Sequence, residues 1–65
     1  MPSITLEVAK LSKEQKQILA KEFTDTASRV TGLPPEAFYI FIKENDLENI
    51  SVGGRLLSDK MKVEK

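Results

Sequence analysis

One group in this chain has unusual chemistry, and it lies at the second position. The sequence opens Met1-Pro2-Ser3-Ile4-Thr5-Leu6-Glu7-Val8, and removal of Met1 turns the Pro2 ring nitrogen into a free secondary amine. Such an amine is a usable general base, because an α-amino group titrates at about 7.7 to 8.0 and burial or a neighbouring cation lowers that value. With Met1 retained, the same nitrogen is a tertiary amide and accepts no proton. Most other routes to catalysis are closed. The chain has no His, no Cys and no carboxylate cluster with metal-ligand spacing, so no metal site is expected.

Composition narrows the remaining possibilities. Sixty-five residues make a single domain spanning 1-65. A chain this short buries only about 60% of the surface its unfolded form exposes, and disulfides, a structural metal or self-association are the usual remedies. Without Cys or His, self-association is left. Ten basic residues balance ten acidic ones, so no overall field draws the protein to nucleic acid or to an anionic membrane. No segment approaches the roughly 20 apolar residues of a membrane span, and the start lacks the pattern of a signal peptide. With the missing cysteines, this reads as a soluble, cytoplasmic protein.

Pro2 has to be held by the elements that follow it. From Ser3 to Ala9 apolar and polar residues alternate, with Ile4, Leu6 and Val8 on one face, the period of a half-buried strand. After a break at Lys10-Leu11, Ser12 and Gln15 form a capping box that should open a helix. Ile18, Leu19, Phe23, Ala27 and Val30 make its apolar stripe; Lys13, Lys16, Gln17, Lys21, Asp25 and Ser28 make its solvated face, and Gly32 ends it. Leu33-Pro34-Pro35-Glu36 forces a turn. Phe38-Tyr39-Ile40-Phe41-Ile42 then reads as a strand covered on both faces. A strand, a helix and a strand in this order predict a parallel pair joined by a right-handed crossover. Lys43 to Asn49 reads as a loop, and Ile50 to Leu57 as a short hairpin turning at Gly53-Gly54. Ser58 to Lys65 reads as a frayed charged tail, to which Met61 and Val63 add a little packing. The expected class is α+β, a β-α-β unit with a C-terminal hairpin, and its open edges and doubly apolar second strand ask for partner chains.

Four stretches carry a resemblance: Met1-Pro2, Ser12 with Glu14-Gln15-Lys16, Ile40 to Glu44, and Val52-Gly53-Gly54. In this order, over nearly the whole chain, they resemble the 4-oxalocrotonate tautomerase family. The resemblance implies a hexamer built as a trimer of dimers, a processed amino-terminal proline, no cofactor, and enol-to-keto conversion of a small conjugated 2-hydroxy acid. Pro2 would then take a proton from the enol and deliver it to carbon, between apolar walls drawn from Ile4, Leu6, Ile40, Ile50 and Val52.

Departures from the family pattern bear on the substrate. Where the family has an arginine after the first strand, this chain has Lys10-Leu11 with one residue deleted, so a carboxylate would meet a point charge rather than a planar fork. Tyr39 stands where a second arginine is expected and can donate a hydrogen bond without neutralising a carboxylate. Ile50 replaces a pocket aromatic, and Arg55 is a spare cation after the glycines. Together these favour a monocarboxylate keto-enol acid over a dicarboxylate. Two other readings stay open: an oligomeric binding protein without chemistry, and a subunit that needs a different partner chain to complete its site.

Overall fold

A computed structural model describes residues 1–63, and side-chain surroundings through Lys60. The alternating segment forms β1, Ser3–Val8, and the apolar run forms β2, Tyr39–Glu44, two residues longer at its end than its apolar stretch. They pair in parallel, with Ser3 opposite Tyr39, Ile4 opposite Ile40, Thr5 opposite Phe41 and Leu6 opposite Ile42. Between them runs α1, Lys13–Thr31. Its start is the expected capping box: the Gln15 amide donates to the Ser12 hydroxyl at 3.1 Å, and the Ser12 amide donates to the Gln15 side chain at 2.9 Å. Gly32 ends it at φ 80°, a left-handed cap whose amide reaches the Ser28 carbonyl at 2.9 Å.

The helix covers the face of the sheet that carries Ile4, Leu6, Val8, Ile40 and Ile42, all half-buried. The expected stripe of α1 is only partly right. Leu19, Phe23 and Ala27 are half-buried, together with Lys16, Ala20, Thr24 and Ser28, whereas Ile18 is 48% and Val30 70% exposed. Ile18 lies about 100° around the axis from Leu19 and turns off the covered strip. Val30 is in the last turn of a 19-residue helix, roughly 28 Å long, against six-residue strands of roughly 20 Å. Lys16 and Ser28, expected in solvent, border the sheet side instead. Ser28 donates its hydroxyl to the Leu33 carbonyl at 2.6 Å.

After the prolines a single 3-10 turn, Pro35–Ala37, leads into β2, and a second, Leu47–Asn49, interrupts the segment expected to be a plain loop. The hairpin is present as β3, Ser51–Val52, antiparallel to β4, Arg55–Leu56. Gly53 and Gly54 sit at φ 65° and 88°, the positive pair that a two-residue turn of this hand demands. The expected frayed tail is corrected in part: Leu57–Val63 forms a second helix, α2. Its first amide, on Leu57, donates to the Ile50 carbonyl at 2.8 Å, and Asp59 in the first turn suits the helix dipole. Residues 64–65, and the packing expected of Met61 and Val63, lie outside the described residues.

One chain does not make a core. No hydrophobic side chain among the described residues is fully buried, and the second face of the sheet, expected to be covered, leaves Tyr39 at 50% and Phe41 at 45% exposure. The chain exposes 5218 Å², whereas a compact monomer of its 7.3 kDa mass exposes roughly 4200 Å². Its radius of gyration is 15.8 Å against roughly 11 Å for a compact chain of this length. Chain connectivity explains the shape: α1 packs on the sheet, while the hairpin and α2 pack on the Leu47–Asn49 turn.

Candidate active site

Pro2 immediately precedes β1 and is half-buried. Its carbonyl accepts from the Tyr39 amide at 3.1 Å, the contact that extends the parallel ladder by one step beyond Ser3. The register therefore brings Pro2 and Tyr39 together at the starting edge of the sheet. Met1, which acylates the Pro2 nitrogen, is 83% exposed.

Lys10 is elsewhere. It follows β1 and is exposed, at the opposite end of a strand that runs roughly 20 Å from the Pro2 edge. Ile50, half-buried, and Arg55, exposed at the head of β4, belong to the hairpin arm. The five candidate residues thus fall into three places: Pro2 with Tyr39, Ile50 with Arg55, and Lys10 alone. Of the expected apolar walls, Ile4, Leu6 and Ile40 face α1 and are taken up in helix packing, so Ile50 and the 56%-exposed Val52 are the ones left for a ligand. The described residues of one chain enclose no pocket. Among the described residues no helix is long and apolar enough to cross a membrane, and no three metal-binding side chains gather.

A bonded polar cluster lies at the Lys10 end, and sequence reasoning missed it. Glu44 Oε2 accepts from the Leu11 amide at 3.0 Å and pairs with the Lys16 ammonium at 3.0 Å. These contacts hold the Glu44 carboxyl below its ordinary value of 4.5, with the Leu11 amide the largest cause, Lys16 next, and Lys10 contributing through space. By its sequence Glu44 reads as part of a polar loop and Lys16 as part of the solvated helix face. The signal available was that Lys16 lies three residues before Leu19 and seven before Phe23, on the same side of α1.

A pH dependence follows from the lowered pKa. The carboxylate contributes stability above its unfolded value, and that contribution is lost as pH falls through the lower folded value. Below pH 4.5, thermal melts of the wild-type protein should therefore lose Tm more steeply than those of Glu44→Gln, which has no proton to take up. Parallel slopes for the two proteins would show the contacts to be energetically idle. Lys21 and Asp25, an exposed i,i+4 pair at 2.7 Å, raise the Lys21 pKa through their hydrogen bond but add little to folding, as exposed pairs do.

A parallel β-α-β unit followed by a glycine hairpin, starting at a proline whose carbonyl accepts from the Tyr39 amide, is the arrangement the resemblance to small tautomerases leads one to expect. The chain matches the tautomerase enzyme family over residues 2–60 and belongs to that family. It is 39% identical over 61 residues to a probable tautomerase of Bacillus cereus, covering 92% of this chain and all of that protein. Among solved structures, the 4-oxalocrotonate tautomerase homologue TTHB242 superposes with a TM-score of 0.84 at 28% identity, over 91% of this chain and 95% of its own. TomN, a homologue in the tomaymycin biosynthetic pathway, superposes with a TM-score of 0.89 at 25% identity, over 98% of this chain and 100% of its own. Family and fold together support a tautomerase-type function, in a family of small oligomers that act on small molecules.

Proposed function

We propose that this protein is a cofactor-independent keto-enol tautomerase of the cytoplasm, with Pro2, freed by removal of Met1, as its general base. The observation that carries the reading is the position of Pro2: half-buried at the sheet edge, bonded through its carbonyl to Tyr39, in a chain of the tautomerase family. The secondary amine takes the proton of the enol hydroxyl of a conjugated 2-hydroxy acid. As the C–O bond gains double-bond character, the resulting ammonium returns a proton to carbon at the far end of the conjugated system. The Tyr39 hydroxyl donates a hydrogen bond at the same edge, and an apolar wall from Ile50 lowers the polarity around the amine. Arg55, also from a hairpin arm, supplies a further cation at the rim.

A carboxylate held near Pro2 cannot reach the Lys10 of the same chain, at the other end of β1. Lys10 therefore comes from a second copy, and the site is completed by assembly, as a hexamer built from three dimers. The open sheet face, with Tyr39 and Phe41, and the projecting hairpin arm supply the surfaces for it.

With one lysine and a neutral tyrosine in place of two arginines, the substrate carries a single carboxylate. An ultraviolet assay that titrates phenylenolpyruvate and 2-hydroxymuconate side by side tests this, and faster turnover of the dicarboxylate overturns it. Tyr39→Arg should shift kcat/KM toward the dicarboxylate by about tenfold, the scale of one added charge-assisted hydrogen bond. The second reading, a binding oligomer without chemistry, is favoured by Tyr39 in the place of a cation. An intact mass that retains Met1 in protein from its native host would support it.

A further inference from the structure

Resting on the tautomerase reading, we propose that Glu44 is a positioning residue: it grips the turn after β1 and occupies Lys16, so that Lys10 meets the substrate carboxylate from a fixed base.

The turn is held from both sides by consecutive residues at the end of β2. The Asn45 amide donates to the Val8 carbonyl at 2.8 Å, and Glu44 accepts from the Leu11 amide at 3.0 Å. Only Ala9 and Lys10 lie between these two clamps. One residue further on, the Ser12 amide is held by the Gln15 side chain at 2.9 Å, so both amides that directly follow Lys10 are held. A second bond, from the Asn45 side chain to Glu7 Oε1 at 3.1 Å, fixes Asn45 itself. Lys10 therefore projects a flexible stem from a fixed base, which reduces the ordering cost of binding an anion.

Charge makes the same arrangement selective. An unpaired Glu44 carboxylate beside Lys10 would repel an incoming carboxylate and compete for the lysine. Lys16, 3.0 Å away, neutralises it, and both side chains are partly shielded, at 38% and 31% exposure. Lys16 is consumed in doing so, and Lys10 has no ion-pair partner among the described residues. A lysine left unpaired on a rigid turn is placed to meet a carboxylate of the substrate.

The test is steady-state kinetics on a monocarboxylate enol acid, phenylenolpyruvate, with wild type, Glu44→Ala and Glu44→Gln, each checked for unchanged oligomeric size. Glu44→Ala removes both contacts and should raise KM about tenfold with kcat within about twofold, because binding is loosened while the Pro2 chemistry is untouched. Glu44→Gln keeps an oxygen that can accept from the Leu11 amide and should recover most of the lost KM. Amide hydrogen exchange supplies a second readout: Leu11 should exchange faster in Glu44→Ala and stay protected in Glu44→Gln. An unchanged KM in Glu44→Ala overturns the proposal, as does a fall in kcat at constant KM or a Glu44→Gln no better than alanine. A wild-type protein with no activity overturns the tautomerase reading, and this inference with it.

Discussion

Pro2→Ala should lower the turnover of a monocarboxylate enol acid by about a hundredfold, with the fold and assembly intact. A positioned general base contributes about 10² to 10⁴ in rate, and the lower end applies because processed alanine still presents an α-amino group. What is lost is placement. The pyrrolidine ring fixes φ and holds the nitrogen rigidly at the head of β1, whereas a primary amine on alanine rotates freely. Methionine is still removed ahead of alanine, so the variant does not confuse loss of the ring with retention of Met1. A companion protein with an uncleavable residue before Pro2 should be inactive, since its nitrogen is an amide. Ultraviolet kinetics with intact-mass control reads both, and an unchanged rate in Pro2→Ala removes Pro2 from the mechanism.

Phe41→Lys should be the most damaging single change to the folded state. Phe41 is 45% exposed in one chain, on the sheet face that α1 does not cover, with Thr5 beside it in register. If that face is closed by other copies, the substitution removes a large packed ring and buries an ammonium without a partner. Loss of a packed phenylalanine alone costs about 3 to 5 kcal/mol, comparable with the whole stability of many domains. The chain has no buried hydrophobic side chain of its own to fall back on among the described residues. We therefore expect Phe41→Lys to lose both the oligomer in light scattering and cooperative melting in circular dichroism. Wild-type Tm should rise with protein concentration, as linkage requires of a fold completed by association. A monomeric wild type, or a Phe41→Lys variant of native size and Tm, would show that this face meets water.

Much of the fold was legible in the chain because it is written in local chemistry. Ser12 and Gln15 announce the helix start through bonds spanning three residues, and Gly32 announces its end through a backbone angle other residues resist. Ile4, Leu6 and Val8 announce a strand by their period, and Gly53-Gly54 announce the hairpin. The errors share a cause. Ile18 and Val30 were apolar at helical spacings, but which strip of a helix is covered depends on how far the strands beneath it extend. The helix at Leu57–Val63 depends on a bond from Leu57 back to Ile50, and no cap in the sequence marks it.

The sequence by itself determined β1, α1, β2 and the hairpin, and their order, since these rest on residue type and near-neighbour spacing. Tertiary structure alone decided what those elements bring together. Parallel pairing in one register joins Pro2 to Tyr39 and sends Lys10 to the far end of the strand. It also sets Glu44 against the turn 33 residues before it, a contact no local pattern encodes. The physical reason is that a strand is directional: once two run in parallel, their starts share one edge and their ends the other. Pro2, before the start of β1, and Lys10, past its end, therefore stand at opposite edges of one chain.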